Sequence, residues 1–374
     1  MKLELAELLK GVEGKKINTL IGFDGFVDEV VHVVDKRYGP NPGDFERVLT
    51  IEAYAKRLAA GAGLSTNVEI VPLTRKLGGN GPIYALGLKK YGINLTYIGC
   101  TGVEALNPVF HEMAEDSVVI GIAEPGQTDA MEFDDGKIIR SKLASLNSAN
   151  WESIASKIGV DRLAQMMDDA ELISFNNWAL LNQMSDIWKH ILADVIPKMK
   201  ADISTKTMFF DLCDPEKRLN EEILEAMELI QRFKAAGFRV ALGLNRKETC
   251  EIAEITGKEI PDYKAIPLRE LTEYLADYLK LDCLVVHPTE CAACVADGKY
   301  YEVAGPYCQK PKLTTGAGDN FNAGFVYGYV NGFAPDMCLL LGTASSGFYV
   351  RKARSGDSKE IQAFLKDWDA GRLD

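Results

Sequence analysis

The chain has 374 residues, of which 47% are hydrophobic and 26% are charged, a composition that excludes an intrinsically disordered protein. Acidic residues outnumber basic ones by 54 to 42, so the net charge is −12, which argues against a nucleic-acid-binding protein. A protein this acidic needs backbone amides, metal ions or a few local cations to handle phosphates.

Strand-like and helix-like segments alternate along most of the chain. Six short apolar runs are predicted as buried strands, at residues 17–23, 96–100, 172–175, 207–212, 238–242 and 281–286. Amphipathic segments between them are predicted as helices, at residues 82–91, 185–199, 220–236 and 268–280. Apolar strands that alternate with such helices predict βαβ units, and therefore a doubly wound, mostly parallel α/β sheet.

Three further segments have a different strand pattern. Residues 28–35 and 68–77 alternate between apolar and polar side chains, and residues 129–143 form a predicted hairpin with Asp-Asp-Gly at its turn. Such strands are typical of a sheet with one solvated face. We therefore predict one domain, residues 1–374, with a small β-sheet lid formed by excursions at about 28–77 and 129–144. The first excursion contains an inserted helix around residues 45–60.

Targeting signals and cysteine usage predict the compartment. The first 16 residues lack the apolar core of a signal peptide, and no uncharged run is long enough to span a bilayer. Eight cysteines are spread along the chain, as is typical of reduced thiols. We expect a cytoplasmic protein that does not bind membranes. Cys291 and Cys294 lie in a strand-like run without a second pair, which favours buried side chains over a metal or redox site.

The most informative segment is the glycine turn of residues 314–324, which leads into an apolar helical pattern. Gly316 and Gly318 allow close approach of a ligand, and the first amides of a helix bind anions without a cationic side chain. Asp319 beside such an anion would not strengthen binding by its charge. Its presence is explained if it takes a proton from a hydroxyl that attacks the phosphorus. A plain helix N-cap is the alternative for Asp319.

Other polar groups follow the predicted strands, where ligands of doubly wound sheets bind. Asn245 and Glu248 are spaced to share a hydrated magnesium ion and a phosphate oxygen, although a helix capping box is the commoner use of this pattern. Asp24 and Asp28 follow the first strand and could accept hydrogen bonds from sugar hydroxyls or cap turns. Residues 78–82, Gly-Gly-Asn-Gly-Pro, open a helix and offer amides to the same cleft. Asp211 ends another strand, where a supporting role is expected.

With these motifs in this order, the sequence resembles the PfkB (ribokinase-like) family of carbohydrate kinases. The resemblance implies a parallel α/β core with a small β lid, ATP as phosphate donor and Mg²⁺ as cofactor. It implies phosphorylation of a hydroxyl on a sugar, a nucleoside or a related small alcohol. A homodimer that forms through the exposed lid strands is also plausible.

The resemblance also implies roles for individual residues. Asp319 would be the catalytic base, and the amides of Gly316, Ala317 and Gly318 would form the anion hole. Asn245 and Glu248 would organise the nucleotide phosphates and magnesium, with Glu248 acting through water. The acceptor pocket would be lined by four residues, Asp24, Asp28, Gly79 and Asn80.

The sequence departs from the family pattern at several positions. Leu313 replaces the usual Asp three residues before Gly316, so we expect activity that is insensitive to potassium. The usual Thr-x-Gly nucleotide loop is replaced by residues 287–289, His-Pro-Thr, in which Pro288 removes an amide donor. Ile83 stands where an Asn is usual, and the inserted helix enlarges the lid. These two differences leave the identity of the acceptor undetermined.

Two other functions remain as alternatives. The first is a non-catalytic, sugar- or nucleotide-binding regulatory member of the same fold, which the altered loop at residues 287–289 would favour. The second, a dinucleotide-dependent oxidoreductase, is less favoured because the glycine turn lies near the C-terminus and no acidic residue follows it on a next strand.

Overall fold

The structure, a computed structural model, describes residues 1–373 as strands and helices that alternate along the chain. The strands are β1 (Asn18–Phe23), β2 (Phe26–Arg37), β3 (Phe45–Arg47), β4 (Ile70–Gly78), β5 (Asn94–Gly99), β6 (Val118–Gly121), β7 (Gly126–Phe133), β8 (Gly136–Lys142), β9 (Leu172–Asn176), β10 (Thr207–Asp211), β11 (Arg239–Leu244), β12 (Cys283–Val286), β13 (Cys291–Ala296) and β14 (Lys299–Ala304).

The α-helices fall mainly between the strands of the larger sheet and after its last strand. They are α1 (Lys2–Gly11), α2 (Ile51–Ala60), α3 (Asn80–Lys89), α4 (His111–Ala114), α5 (Trp151–Lys157), α6 (Val160–Asp169), α7 (Met184–His190), α8 (Asn220–Ala235), α9 (Arg246–Ile255), α10 (Leu268–Leu279), α11 (Ala317–Val330), α12 (Pro335–Lys352) and α13 (Ser358–Asp369). Across residues 1–373, no helix has the length and hydropathy of a bilayer span.

The larger sheet is doubly wound. Its strand order is β14-β13-β12-β11-β10-β9-β1-β5-β6, and all its strands are parallel except β13 and β14, which are antiparallel to their neighbours. From β1 the chain runs outward through β5 and β6 and then returns to β9 on the other side of β1. Ligands of open α/β sheets bind at the carboxyl ends of the strands at such a reversal point. In this chain that point lies between the ends of β1 and β9.

Helices cover both faces of the larger sheet. Successive strand residues point to opposite faces, so Phe210 packs in one hydrophobic core and Phe209 in the other. Helices α5 to α10 enclose the first core, and α1, α3, α4 and α11 to α13 enclose the second. Burial of a phenylalanine side chain contributes about 1.5–3 kcal/mol, so both cores help to hold the strand ends in place.

A separate five-stranded sheet begins close to the end of β1. Strand β2 begins two residues after β1 and pairs antiparallel with β4 and parallel with β7, while β3 and β8 complete the sheet. Helix α2 covers one face of this sheet, where Tyr54 packs with Val31 and Phe133. Asp28 is three residues from Val31 and therefore lies on the opposite face.

The fold class predicted from the sequence is confirmed, with the predicted strands at β1, β5 and β9 to β12 and the small sheet at β2, β4, β7 and β8. Two segments differ. The predicted helix at 185–199 is α-helical only in α7 and continues as a π-helical turn and a 3₁₀ turn. Pro197, which has no N–H to donate, accounts for the loss of regular α-helix. Residues 45–47 form β3 rather than the start of the inserted helix, which begins after its N-cap Thr50.

Candidate active site

Asp24 lies at the reversal point of the larger sheet, directly after β1, and is completely buried. Its Oδ1 accepts a hydrogen bond from the backbone amide of Gly81 at 3.0 Å, and its Oδ2 accepts one from Nδ2 of Asn177 at 2.7 Å. The Tyr97 hydroxyl donates to the backbone carbonyl of Asp24 at 2.8 Å. Burial raises the pKa of Asp24 to about 6, although the hydrogen bonds that its carboxylate accepts from Asn177, Gly81 and Tyr97 oppose the rise. Asp24 therefore joins β1, β5, α3 and the residue that follows β9.

Glycines allow the start of helix α3 to approach Asp24. Gly79 is the N-cap residue and has φ of 97°, a conformation that L side chains rarely adopt. A Cβ atom at Gly79 would lie 2.6 Å from Oδ2 of Asp24, and one at Gly81 would lie 2.4 Å from Oδ1. The amide end of α3, with its partial positive charge, is thereby placed against a buried carboxylate.

Asp319 is the third residue of α11 and is 6% exposed. Nδ2 of Asn80 donates to its Oδ1 at 3.0 Å. Burial and the nearby charge of Asp24 raise the pKa of Asp319 well above its usual value, while the Asn80 hydrogen bond lowers it. Gly316, with φ of 92°, is the N-cap residue of this helix, so Asp319 is not its N-cap. The structure thus brings together Asp24, Asn80 and Asp319.

The first turn of α11 leaves some amides available. The Ala317 amide donates to the carbonyl of Thr314 at 3.0 Å and is therefore engaged in the turn itself. Within residues 1–373, the amides of Gly316, Gly318 and Asp319 have no protein acceptor. Unpaired amides at the positive end of a helix dipole can bind an anion.

Asn245 and Glu248 form a reciprocal capping box at the start of α9. Oδ1 of Asn245 accepts from the Glu248 amide at 3.0 Å, and Oε2 of Glu248 accepts from the Asn245 amide at 2.8 Å. The second oxygen of Glu248, Oε1, accepts from the Asp214 amide at 3.1 Å. Burial and the charges of Asp214 and Glu251 raise the pKa of Glu248. Asn245 and Glu248 therefore cap the helix, as this sequence pattern commonly does, and the capping hydrogen bonds hold the Glu248 carboxylate at the edge of the sheet.

Asp211, to which the sequence assigned no direct chemistry, belongs to the same group of acids. It ends β10, and its Oδ2 accepts from Nδ2 of Asn322 at 2.7 Å. Burial raises the pKa of Asp211 well above its usual value, and the charges of Glu248, Asp319 and Asp24 raise it further. Four carboxyl groups, two at strand ends and two in the first turns of helices, thus lie close enough for their charges to interact, a charge excess that a cation would relieve.

Two cavities flank the turn that precedes Asp319. The first has a volume of about 350 Å³ and the second of about 490 Å³. Thr314, Ala317 and Gly318 line the first cavity, whereas Leu313 and Thr315 line the second. The first cavity is also bordered by Asn245, by the loop after β12, by residues 305–308 and by α12. The second is also bordered by Asp28 and Lys76 of the small sheet, by Ile83 and by Tyr349.

Some residues of the site were not found from the sequence, and other motifs lie apart from it. Asn177 and Tyr97 hold Asp24, and the position of Asn177 directly after a predicted strand was the available signal. Cys291 and Cys294 lie three residues apart on β13 and therefore point to opposite faces of the strand. In the part of the chain that the structure describes, no group of three or more His, Cys, Asp or Glu side chains could hold a metal ion directly.

Known proteins resemble this chain in both sequence and fold. A family model for prokaryotic ketohexokinase matches residues 6–368. A ketohexokinase from Haloferax volcanii is 29% identical over 359 residues, which is 96% of this chain and 92% of the relative.

Two solved structures show the same fold at low sequence identity. The nucleoside kinase from Methanocaldococcus jannaschii, an archaeal member of the ribokinase family, is 15% identical with a TM-score of 0.60, and the match covers 95% of this chain and 100% of that one. Arabidopsis thaliana ribokinase in complex with ribose and ATP is 16% identical with a TM-score of 0.62, covering 94% and 99%. The chain therefore belongs to the prokaryotic ketohexokinase family, and it is a sugar or nucleoside kinase with the ribokinase-like (PfkB) fold.

Proposed function

We propose that the protein transfers the γ-phosphoryl group of ATP to a hydroxyl of a sugar, and that the sugar is a ketohexose. The class of sugar is inferred from the family and from the Haloferax volcanii relative. The observation that carries the chemistry is the position of Asp319. It is held by Asn80, follows two unpaired amides and stands at the turn that borders both cavities. The first cavity would bind the nucleotide and the second would admit the acceptor.

In this proposal Asp319 is the general base. The acceptor hydroxyl loses its proton to a carboxylate oxygen of Asp319 as its oxygen bonds to the γ-phosphorus, and the bond from that phosphorus to the bridging oxygen of ADP breaks. A base whose pKa is raised is suited to this step, because it accepts the proton more strongly than an ordinary carboxylate. The amides of Gly316 and Gly318 would stabilise the charge on the transferred group. The Ala317 amide would contribute only if its hydrogen bond to the Thr314 carbonyl were broken.

The acids near α9 fit a divalent cation. The raised pKa values of Glu248 and Asp211 reflect burial and the charges of neighbouring acids, and oxygen ligands of this kind suit magnesium. Glu248 and Asn245 would hold Mg²⁺, with Glu248 acting through water, since its own oxygens already accept backbone hydrogen bonds. When bound, the ion would neutralise charge on the phosphates. Asp24, Asp28, Gly79 and Asn80 are proposed to line the acceptor side, with Asp28 accepting hydrogen bonds from sugar hydroxyls.

The small sheet is proposed to act as a lid on a single domain. At its base Phe26 pairs with Gly78 on one side and Gly126 on the other, and the Gly126 amide donates to the Gly25 carbonyl at 2.9 Å. Closure over the acceptor would exclude water and limit futile hydrolysis of ATP. The edge strand β8 is almost entirely exposed, so a homodimer through the lid strands is part of the proposal. Sedimentation at several protein concentrations tests it.

Acceptor-dependent release of ADP tests the proposed activity. The purified protein is assayed with Mg²⁺ and ATP against fructose and other ketohexoses, aldoses, sugar acids and nucleosides. We expect turnover with ketohexoses to exceed turnover with the other classes, and Asp319→Asn to abolish most of it. Turnover with nucleosides alone would contradict the sugar assignment. Binding of ATP and sugar without any ADP release would favour the non-catalytic alternative.

A further inference from the structure

His287 lies where two cavities meet at the end of β12. It lines the first cavity and also a third one, of about 530 Å³, which is bordered by residues 245–247, Lys264 and residues 287–290. The side chain is half-buried, so part of the imidazole is open to these cavities. We propose that His287 is a hydrogen-bond donor to the phosphate chain of the nucleoside triphosphate. This inference rests on the ATP-dependent activity proposed above.

The loop after β12 has no free backbone amide at its first two positions. The backbone amide of His287 donates to the carbonyl of Leu244 at 3.0 Å and is therefore engaged. Pro288 has no N–H at all. At these two positions the imidazole is consequently the group that can still donate a hydrogen bond into the first cavity.

Packing places the imidazole beside the amide end of α11. Its ring lies 4.7 Å from the ring of Phe321, tilted by 32°. A Cβ atom at Gly318 would lie 3.2 Å from Cε1 of His287. Gly318 is one turn before Phe321 on the same helix, and its amide has no protein acceptor within residues 1–373. The imidazole edge and this amide therefore converge on one part of the first cavity.

We assign that part of the cavity to the phosphates. Thr343, Ser346 and Val350 of α12 also line the cavity, and they offer apolar and hydroxyl groups rather than amides. Two of the three cations that border the third cavity are engaged elsewhere. The Arg246 side chain donates to the carbonyls of Tyr263 and Lys264, and Lys247 pairs with Glu251 at 3.2 Å. A donor at position 287 therefore supplies a contact that these two side chains do not. Burial lowers the pKa of His287 to about 4, although a hydrogen bond of the ring to its own backbone opposes the shift, so the ring is neutral at pH 7 and has one N–H group to donate.

The test compares His287→Phe, which keeps an aromatic ring against Phe321 but has no donor, with His287→Gln, which keeps an N–H donor. Dissociation constants for ATP, ADP, AMP and adenosine are measured by titration calorimetry, and melting temperatures report folding. A hydrogen bond to a charged group contributes about 1.5–3 kcal/mol, so His287→Phe should weaken the binding of ATP and of ADP at least about tenfold. The dissociation constant for adenosine should change less than about twofold, and His287→Gln should restore most of the ATP affinity.

Several outcomes would overturn the inference. Equal weakening of ATP and adenosine would place His287 at the nucleoside, and unchanged ATP affinity in His287→Phe would show that it makes no contact. Tyr278→Phe is the control, because it alters an exposed side chain on α10 that borders neither cavity and should leave all four affinities unchanged. Binding does not depend on turnover. Wild-type protein that binds ATP but releases no ADP would contradict the proposed function alone, and protein that binds no adenine nucleotide would contradict both.

Discussion

Nδ2 of Asn80 donates a hydrogen bond to Oδ1 of Asp319 at 3.0 Å, across 239 positions of the sequence. The bond joins the amide end of α3, which faces Asp24, to the amide end of α11, which lines the first cavity. Two helix N-termini and two carboxylates are therefore fixed relative to one another. This arrangement leads to four predictions.

Replacement of Asp319 by Asn should separate activity from stability. General base catalysis contributes about 10²–10⁴-fold in rate, so turnover should fall by that factor while ATP affinity stays unchanged. The pKa of Asp319 is raised in the folded protein, so its carboxylate costs stability once the pH exceeds the unfolded value. Asp319→Asn should therefore melt at a temperature no lower than that of the wild type at pH 7. Steady-state kinetics and calorimetry check both effects.

A surface carboxylate provides the control for this variant. Asp161 is exposed and pairs with Lys198 at 2.7 Å, so Asp161→Asn should leave turnover unchanged. Wild-type turnover in Asp319→Asn would mean that another group is the base.

Removal of the Asn80 side chain should change the pH dependence of the reaction. Its hydrogen bond lowers the pKa of Asp319, so Asn80→Ala should raise that pKa further. Because the base must be deprotonated, the acid limb of the profile of kcat/KM should move to higher pH. Asn331→Ala, which removes only a hydrogen bond to the Tyr327 carbonyl near the end of α11, is the comparison and should not shift the profile. Identical profiles for Asn80→Ala and wild type would rule out this coupling.

Asp24 should make folding stability depend on pH. Its pKa of about 6 exceeds the ordinary value of 3.8, so the folded state binds the proton more tightly than the unfolded state. The stabilisation is complete below the unfolded value and is lost as the pH rises through the folded value. Wild type should therefore lose about 2 kcal/mol relative to Asp24→Asn between pH 4 and pH 7. Urea unfolding of both proteins at several pH values measures this difference.

The Asp24→Asn variant can retain a hydrogen bond between residue 24 and Asn177. Oδ1 of Asn177 is buried and has no partner among residues 1–373, so a flipped Asn177 amide can accept from the new Asn. A pH-independent difference between the two proteins would mean that Asp24 does not titrate in this range.

Leu313 predicts activity that does not respond to potassium. It lines the second cavity three residues before Gly316 and offers no oxygen ligand from its side chain. Replacing sodium with potassium at constant ionic strength should change kcat by less than about twofold, because a potassium ion binds through oxygen ligands and the Leu313 side chain has none. Leu313→Asp is the comparison, because it introduces the carboxylate that such a cation would use. A several-fold rise for the wild type in potassium would contradict the prediction.

Local features of the site could be predicted because neighbouring residues decide them. The glycines around Asp319, the acids after β1 and the hairpin turn at residues 134–136 all follow from short-range backbone and side-chain preferences. The same short range explains the errors. The start of β3 depends on pairing with β2, and Pro197 ends regular helix within a segment whose apolar pattern continues.

The sequence by itself determined the alternation of strands and helices, the glycine turn before Asp319 and the family. Only the tertiary structure decided which polar groups meet. It placed Asn177 on Asp24, Asn80 on Asp319 and Asn322 on Asp211, and it engaged the Ala317 amide within the turn. The physical reason is that periodicity and turn chemistry act over a few residues, whereas these contacts depend on the strand order and on two cores that pack α3 and α11 against the same sheet.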